Sequence, residues 1–141
     1  MRYVLDASVA VRWFVADGDQ PHAELVLDRL LAAPEEFAMP ELFFYEVFAV
    51  LARTRSDSRS VYVEGFLPLV ESGPLRYPMT GAVAERAAAL VGKGLSGYDA
   101  CYVALAAELQ GLWLTFDGRA CRAVNDPSLA LNVAGGLPDG W

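Results

Sequence analysis

The chain has 141 residues, 55% of them hydrophobic, and carries a net charge of −7. That composition, with a mean hydropathy of +0.29, excludes intrinsic disorder and suits one domain with its own core. The acidity argues against nucleic acid held by a general basic surface, although not against a nuclease whose acidic pocket is neutralised by metal. No stretch of about 18 residues is free enough of charge and turn signals to span a membrane, and Asp6 ends the first apolar run too early for a signal peptide. The two cysteines, Cys101 and Cys121, have neither metal nor redox spacing and read as reduced thiols of a cytoplasmic protein.

In chain order, residues 2–5 read as a short buried strand, followed by a turn and helix start at Asp6-Ala7-Ser8. Helical spacing of Ala23, Val26, Leu27, Leu30 and Leu31 predicts a helix over 21–32, ended by Pro34. Phe37-Ala38-Met39 before Pro40 reads as a second strand. A long helix follows from Glu41 to about Arg55, with proline at its start and basic residues at its end. Another covers roughly 60–71 and stops at Ser72-Gly73-Pro74. Leu75 to Met79 is a weak strand. Residues 80–91 and 97–110 are helical, Leu112 to Thr115 is a strand, and a short helix after Asp117 precedes a last strand near Leu129–Val133. The Gly- and Pro-containing tail from about 135 to 141 reads as frayed. Alternating strands and helices predict an α/β domain over 1–141, with a mainly parallel sheet covered on both faces.

Four acids interrupt this apolar pattern. Asp6 closes Tyr3-Val4-Leu5, Glu46 sits inside the apolar helix, Asp99 stands at the mouth of Ala100 to Leu105, and Asp117 follows Leu112 to Phe116. Buried carboxylates are costly to keep charged without a partner. The chain has one lysine, Lys93, and one histidine, His22, so carboxylates meeting at one point imply a divalent cation with oxygen ligands. Glu46 shares a helical stripe with Leu42, Phe43, Ala49 and Val50, which turns it away from water. Each acid also has a plainer reading. Asp6 and Asp117 suit helix N-caps at strand-to-helix turns, Ser96 to Asp99 matches a capping box, and Ser8 and Thr115 suit backbone-bonding hydroxyls. Placement favours a site, because Asp6 and Asp117 both fall at the carboxyl ends of predicted parallel strands, where α/β sheets bind ligands.

Two further patterns matter less. Gly92-Lys93-Gly94-Leu95-Ser96-Gly97 matches a dinucleotide-binding GxGxxG, but a helix and not a strand is predicted before it. Arg53, Arg55 and Arg59 form the one basic cluster, a candidate contact for phosphate or an acidic partner.

With these residues in place, the chain resembles the PIN-domain family, and within it the VapC-type toxins of toxin–antitoxin pairs. The resemblance rests on Val4-Leu5-Asp6-Ala7-Ser8, on Pro40-Glu41-Leu42 leading to Glu46, on Leu95 to Ala106 around Asp99, and on Leu114-Thr115-Phe116-Asp117. It implies a parallel five-stranded sheet flanked by helices and a Mg²⁺- or Mn²⁺-dependent endoribonuclease that cleaves RNA. Asp6, Glu46, Asp99 and Asp117 would form the metal site, with Ser8 and Thr115 as polar neighbours. It also implies a homodimer and a cognate VapB-like antitoxin. The chain departs from many relatives at Phe116, where they carry Asn, and at Arg119 and Cys121, where some carry a further acid. Two alternatives remain: a PIN-fold metal-binding interaction module with little turnover, and an unrelated α/β cofactor-binding domain whose acids merely cap helices.

Overall fold

The computed structural model describes residues 1–15 and 20–141. Five strands form one wholly parallel sheet in the order β3-β2-β1-β4-β5. They are β1 (Tyr3–Leu5), β2 (Phe37–Pro40), β3 (Leu75–Tyr77), β4 (Leu112–Thr115) and β5 (Ala130–Asn132). Strand order reverses at β1, which pairs with β2 on one side and with β4 on the other, Leu5 opposite Leu114. All four residues of β4 are buried, as expected of a strand covered on both faces.

The helices follow from local signals. Asp6 caps α1 (Ala7–Ala10), which continues as a 3-10 turn over Val11–Trp13. Pro21 opens α2 (Pro21–Ala32), and α3 (Glu41–Thr54) starts directly after Pro40. The helix expected over 60–71 is less regular: α4 (Ser58–Ser60) and α5 (Leu67–Val70) flank a π-helical stretch, Val61–Phe66. Pro68 explains this, since it has no N–H to give to the preceding turn and its ring crowds the carbonyl four residues back. Thr80 caps α6 (Gly81–Val91) through Val83 N–H, 3.2 Å. Ser96 caps α7 (Gly97–Glu108), and Asp117 caps α8 (Gly118–Val124). The glycines between α6 and α7 lie in a helix–helix turn, Gly94 at φ +98°, so no strand precedes the GxGxxG match.

The turn from α7 into β4 is a Schellman motif. Gln110 takes φ +52°, its N–H bonds the Ala107 carbonyl at 3.2 Å, and Gly111 N–H bonds the Ala106 carbonyl at 2.8 Å.

One continuous core holds Trp113, Tyr102, Phe37, Phe43 and Phe66, all without solvent exposure. Of the aromatics on α3 and the following helix, Phe43, Phe44 and Phe66 pack together, with Phe43 and Phe66 ring centres 5.7 Å apart. Tyr62 is half-buried and gives its hydroxyl to the Phe44 carbonyl at 2.9 Å. Tyr45 and Phe48 are left 70% and 52% exposed.

Past β5 the chain has no further helix or strand, but Trp141 returns to the amino edge of the sheet, 5.0 Å from the Tyr3 ring, with the Arg29 guanidinium 4.9 Å above it. No helix among the described residues is long and apolar enough to cross a membrane.

Candidate active site

The carboxyl ends of β1 and β4 lie side by side where the strand order reverses, and each is followed at once by a capped helix. Asp6 leaves β1 with its N–H on the Leu114 carbonyl, 3.0 Å, and its side chain turned back to cap α1. Only 7% of it is exposed. Three donors converge on one of its oxygens, Oδ2: Ser8 N–H at 3.3 Å, the Ser8 hydroxyl, and the Thr115 hydroxyl at 2.9 Å. Oδ1 accepts none of these bonds.

Ser8 and Thr115 connect the two strand ends. Ser8 Oγ accepts Phe116 N–H at 3.0 Å, and fully buried Thr115 Oγ1 accepts Asp117 N–H at 3.0 Å. Asp117 in turn accepts Ala120 N–H at 2.9 Å and caps α8, while remaining exposed. The capping readings of Asp6 and Asp117 are therefore correct as local structure, and both residues still face the groove beside them.

Glu46 approaches from α3. Glu46, Ala49, Val50 and Arg53 stand at i, i+3, i+4 and i+7, so one face of α3 forms a wall. Glu46 Oε1 and the Tyr102 hydroxyl from α7 are both buried without a hydrogen-bond partner among the described residues. Asp99 comes from the first turn of α7. Its N–H goes to Ser96 Oγ at 3.1 Å, so Ser96 is the cap and the half-buried Asp99 carboxylate is left to the groove.

Asp6, Ser8, Glu46, Asp99 and Asp117 line one open groove of about 500 Å³, with Thr115 beneath it. A neighbouring pocket of about 280 Å³, lined by Leu95, Ser96 and Arg119, shares Asp99 and Asp117 with it. Burial raises the pKa of Asp6, offset in part by the Ser8 and Thr115 hydrogen bonds, and the Asp99 charge raises it further. Burial likewise raises Glu46, the nearby Tyr102 hydroxyl counters this, and the Asp6 and Asp99 charges add to it. Asp99 is raised by burial, countered by Ser96 and reinforced by Asp117. Three carboxylates are thus pushed the same way, and none of the four acids forms an ion pair among the described residues.

The groove gathers the acids without closing on them. Among the described residues no three acidic, His or Cys side chains stand together at metal-ligand spacing. The donor set nevertheless fits a hard divalent cation: an oxygen of Asp6 free of these bonds, an unpartnered oxygen of Glu46, and two carboxylates reached by water.

Three residues of the groove lay outside the sequence-based site. Arg12, Arg53 and Tyr98 all line it. The basic cluster expected around Arg53 is dispersed. Arg55 turns to Asp57 with two bonds of 2.8 and 2.9 Å, and Arg59 lies 3.6 Å from Glu64. Arg53 faces the acids, as its i+7 spacing from Glu46 could have indicated. His22, the lone histidine, is spent on the Val133 carbonyl at 2.6 Å, where it takes no part in the groove.

A parallel α/β sheet with an acidic groove at its switch point defines the class of this protein. Its sequence matches the model of the PIN domain over residues 3–125, and the chain belongs to the PIN domain family. Solved structures agree in fold. FitAcB from Neisseria gonorrhoeae is 18% identical, with a TM-score of 0.69 over 92% of this chain and 96% of its own. A toxin–antitoxin complex from Klebsiella pneumoniae gives 18%, 0.68, 92% and 95%. VapC20 from Mycobacterium tuberculosis, described as a sarcin–ricin loop cleaving toxin, gives 20%, 0.66, 86% and 94%. No curated protein matches the sequence.

Proposed function

We propose that this protein is a metal-dependent endoribonuclease acting as the toxin of a toxin–antitoxin pair. The observation that carries the reading is the convergence of Asp6, Glu46, Asp99 and Asp117, from four separate elements, on one groove at the sheet's switch point. Membership of the PIN domain family supports it. So do fold neighbours that include a toxin–antitoxin complex and a toxin named for cleaving the sarcin–ricin loop.

Asp6, Glu46, Asp99 and Asp117 would hold Mg²⁺ or Mn²⁺. The ion would supply a Lewis acid that activates the attacking water and stabilises charge building on the phosphate. The chain's own residues prepare this. Ser8 and Thr115 fix Asp6 by engaging only Oδ2, which keeps Oδ1 for the groove. The nearby Tyr102 hydroxyl favours the ionised form of Glu46. Raised carboxyl pKa values mean that cation binding and proton release are coupled, so metal affinity should rise with pH. No His- or Cys-based nucleophile competes as the chemistry, since His22 is committed elsewhere.

Exposed Tyr45 and Phe48 on α3 suit a homodimer through α3 and the helical run over 58–70, leaving the groove open to RNA and to a small VapB-like antitoxin in the cytoplasm.

Purified protein should cut RNA in Mg²⁺ or Mn²⁺ and stop in EDTA, and Asp99→Asn should lose cleavage. Mg²⁺ should raise the melting temperature of the parent and leave that of Asp99→Asn almost unmoved. Cleavage undiminished by EDTA would refute the metal mechanism. Metal binding without any cleavage would leave an interaction module.

A further inference from the structure

Tyr98 is a large aromatic that the core does not use. It is 64% exposed on the first turn of α7, directly before Asp99, and it lines the same groove as the four acids. A helix N-terminus has no need of an aromatic at this position. Ser96 already caps the helix.

The 3-10 extension of α1 carries Arg12, which lines the same groove. Its guanidinium lies 4.0 Å over the Phe116 ring, and Nη1 donates to the Ser8 carbonyl at 2.5 Å. A long flexible cation is thus held in place by its own chain, at a position that lines the groove. With Nε buried and Nη1 engaged, a guanidinium so fixed offers its remaining N–H groups to a phosphate oxygen at less entropic cost than a mobile lysine would. Phe116 is the brace for this arginine.

We infer that the groove takes an unpaired nucleotide strand, one base stacked on the exposed ring of Tyr98 and a backbone phosphate held by Arg12. The inference deepens the nuclease reading and rests on it for the choice of RNA as ligand. A groove of about 500 Å³ is of the size that holds small-molecule ligands, room for about one or two nucleotides and not a duplex. In a double helix each base face is covered by its neighbours, so Tyr98 has nothing to stack on. Stacking also accepts any base, so the selectivity it adds is for unpaired strand and not for sequence. Arg12 and Arg53 answer part of the charge problem: a polyanion approaching four carboxylates needs fixed cations beside them.

The test reads binding and not turnover. A fluorescent eight-nucleotide single strand of RNA is titrated in Ca²⁺, its integrity checked on a gel, against parent, Tyr98→Ala, Tyr98→Phe and Arg12→Gln. Tyr98→Ala should bind about 10- to 100-fold more weakly, the range one lost base stack supplies, with Tyr98→Phe within about threefold of the parent. The same sequence as a duplex should bind weakly and equally to the parent and to Tyr98→Ala. Arg12→Gln should lower the slope of log affinity against log salt by about 0.7, the loss of one phosphate contact to a single strand. Equal single-strand affinity of Tyr98→Ala and parent overturns the inference, and so does an equal loss for duplex. Tyr98 is exposed, so its two variants decide the matter even if Arg12→Gln is unstable. A parent that cuts no RNA but shows the Tyr98 effect would fail the nuclease reading alone. A parent that cuts RNA with no Tyr98 effect on binding would fail this inference alone.

Discussion

Thr115 offers the sharpest test of how the site is built. Its hydroxyl is fully buried, donates to Asp6 Oδ2 at 2.9 Å and accepts Asp117 N–H at 3.0 Å. Thr115→Val keeps the shape and removes both bonds. The lost bond to a carboxylate is worth about 1.5–3 kcal/mol; Asp6 retains its bonds from Ser8 and can relax toward them, so the lower half of that range applies. The freed Asp117 N–H belongs to an exposed residue and regains water in part, adding on the order of 0.5–1 kcal/mol. The sum is about 2–3 kcal/mol, or roughly 6–12 °C in melting temperature for a chain of this length. The sign with pH follows from the ionisation of Asp6. Burial already raises its pKa, and the Thr115 hydroxyl works against that rise. The variant's Asp6 pKa is therefore higher still. The ionic part of the deficit is full above both raised values and disappears as pH falls through them, leaving only the roughly 0.5–1 kcal/mol of the amide. Melts of metal-free parent and variant from about pH 8.5 to about pH 4.5 read this directly. Thr115→Ser, which keeps the hydroxyl, should lose about 1 kcal/mol for its methyl and preserve the parent's pH profile. A Thr115→Val deficit that is absent, or that stays constant or grows on acidification, would refute the reasoning.

Glu46→Gln should make the metal-free protein more stable at neutral pH, because burial and the Asp6 and Asp99 charges raise the Glu46 pKa and its ionised form costs stability. The advantage should shrink as pH falls through that raised value toward the ordinary carboxylate range, and thermal melts in EDTA showing a widening gap would contradict it. Phe48→Asp places a charge on the exposed aromatic face of α3. It should convert a dimer to a monomer in light scattering at micromolar concentration with little change in RNA cleavage per chain, and an unchanged mass would remove α3 from the interface. Gly111→Ala would set a Cβ against the Arg2 carbonyl oxygen, the same oxygen that accepts Leu112 N–H at 3.0 Å. It should destabilise by about 1–3 kcal/mol in denaturant titration, and neutrality would mean that β1 and β4 can separate there without cost.

The acids and the elements that carry them were legible because their signals are local. Apolar runs that end in Asp6 and Asp117 mark strand ends. The 3.6-residue stripe through Glu46, and the Ser96-to-Asp99 cap, lie within one or two turns of helix. The strand boundaries and the parallel sheet followed from the same periodicities. Where the local signal was ambiguous, only contacts distant in sequence resolved it. Nearly every position of α3 is apolar, so the helical period did not separate buried Phe43 and Phe44 from exposed Tyr45 and Phe48; packing against Phe66 did. The place of Trp141 beside the Tyr3 ring had no local signal at all. Arg53, Arg55 and Arg59 read as one patch, yet Asp57 takes Arg55 and the α3 face takes Arg53 into the groove.

The sequence by itself determined the chemistry available: acids at strand ends and on one helix stripe, with one lysine, one histidine and otherwise only arginines as bases, in a chain able to form an α/β sheet. The tertiary structure alone decided that β1 and β4 are neighbours, which brings the Ser8 and Thr115 hydroxyls, 107 positions apart, to the same oxygen of Asp6 and puts Asp6 and Asp117 on one groove. It also decided that the Tyr102 hydroxyl comes near Glu46, that Arg12 is braced by Phe116, and that Tyr98 stands exposed on the groove. The reason is physical. Caps, turns and periodicities are free-energy preferences of a few neighbouring residues and are written in their order. Which strand lies beside which is set by the burial of the whole core, a sum over distant side chains that no local pattern contains.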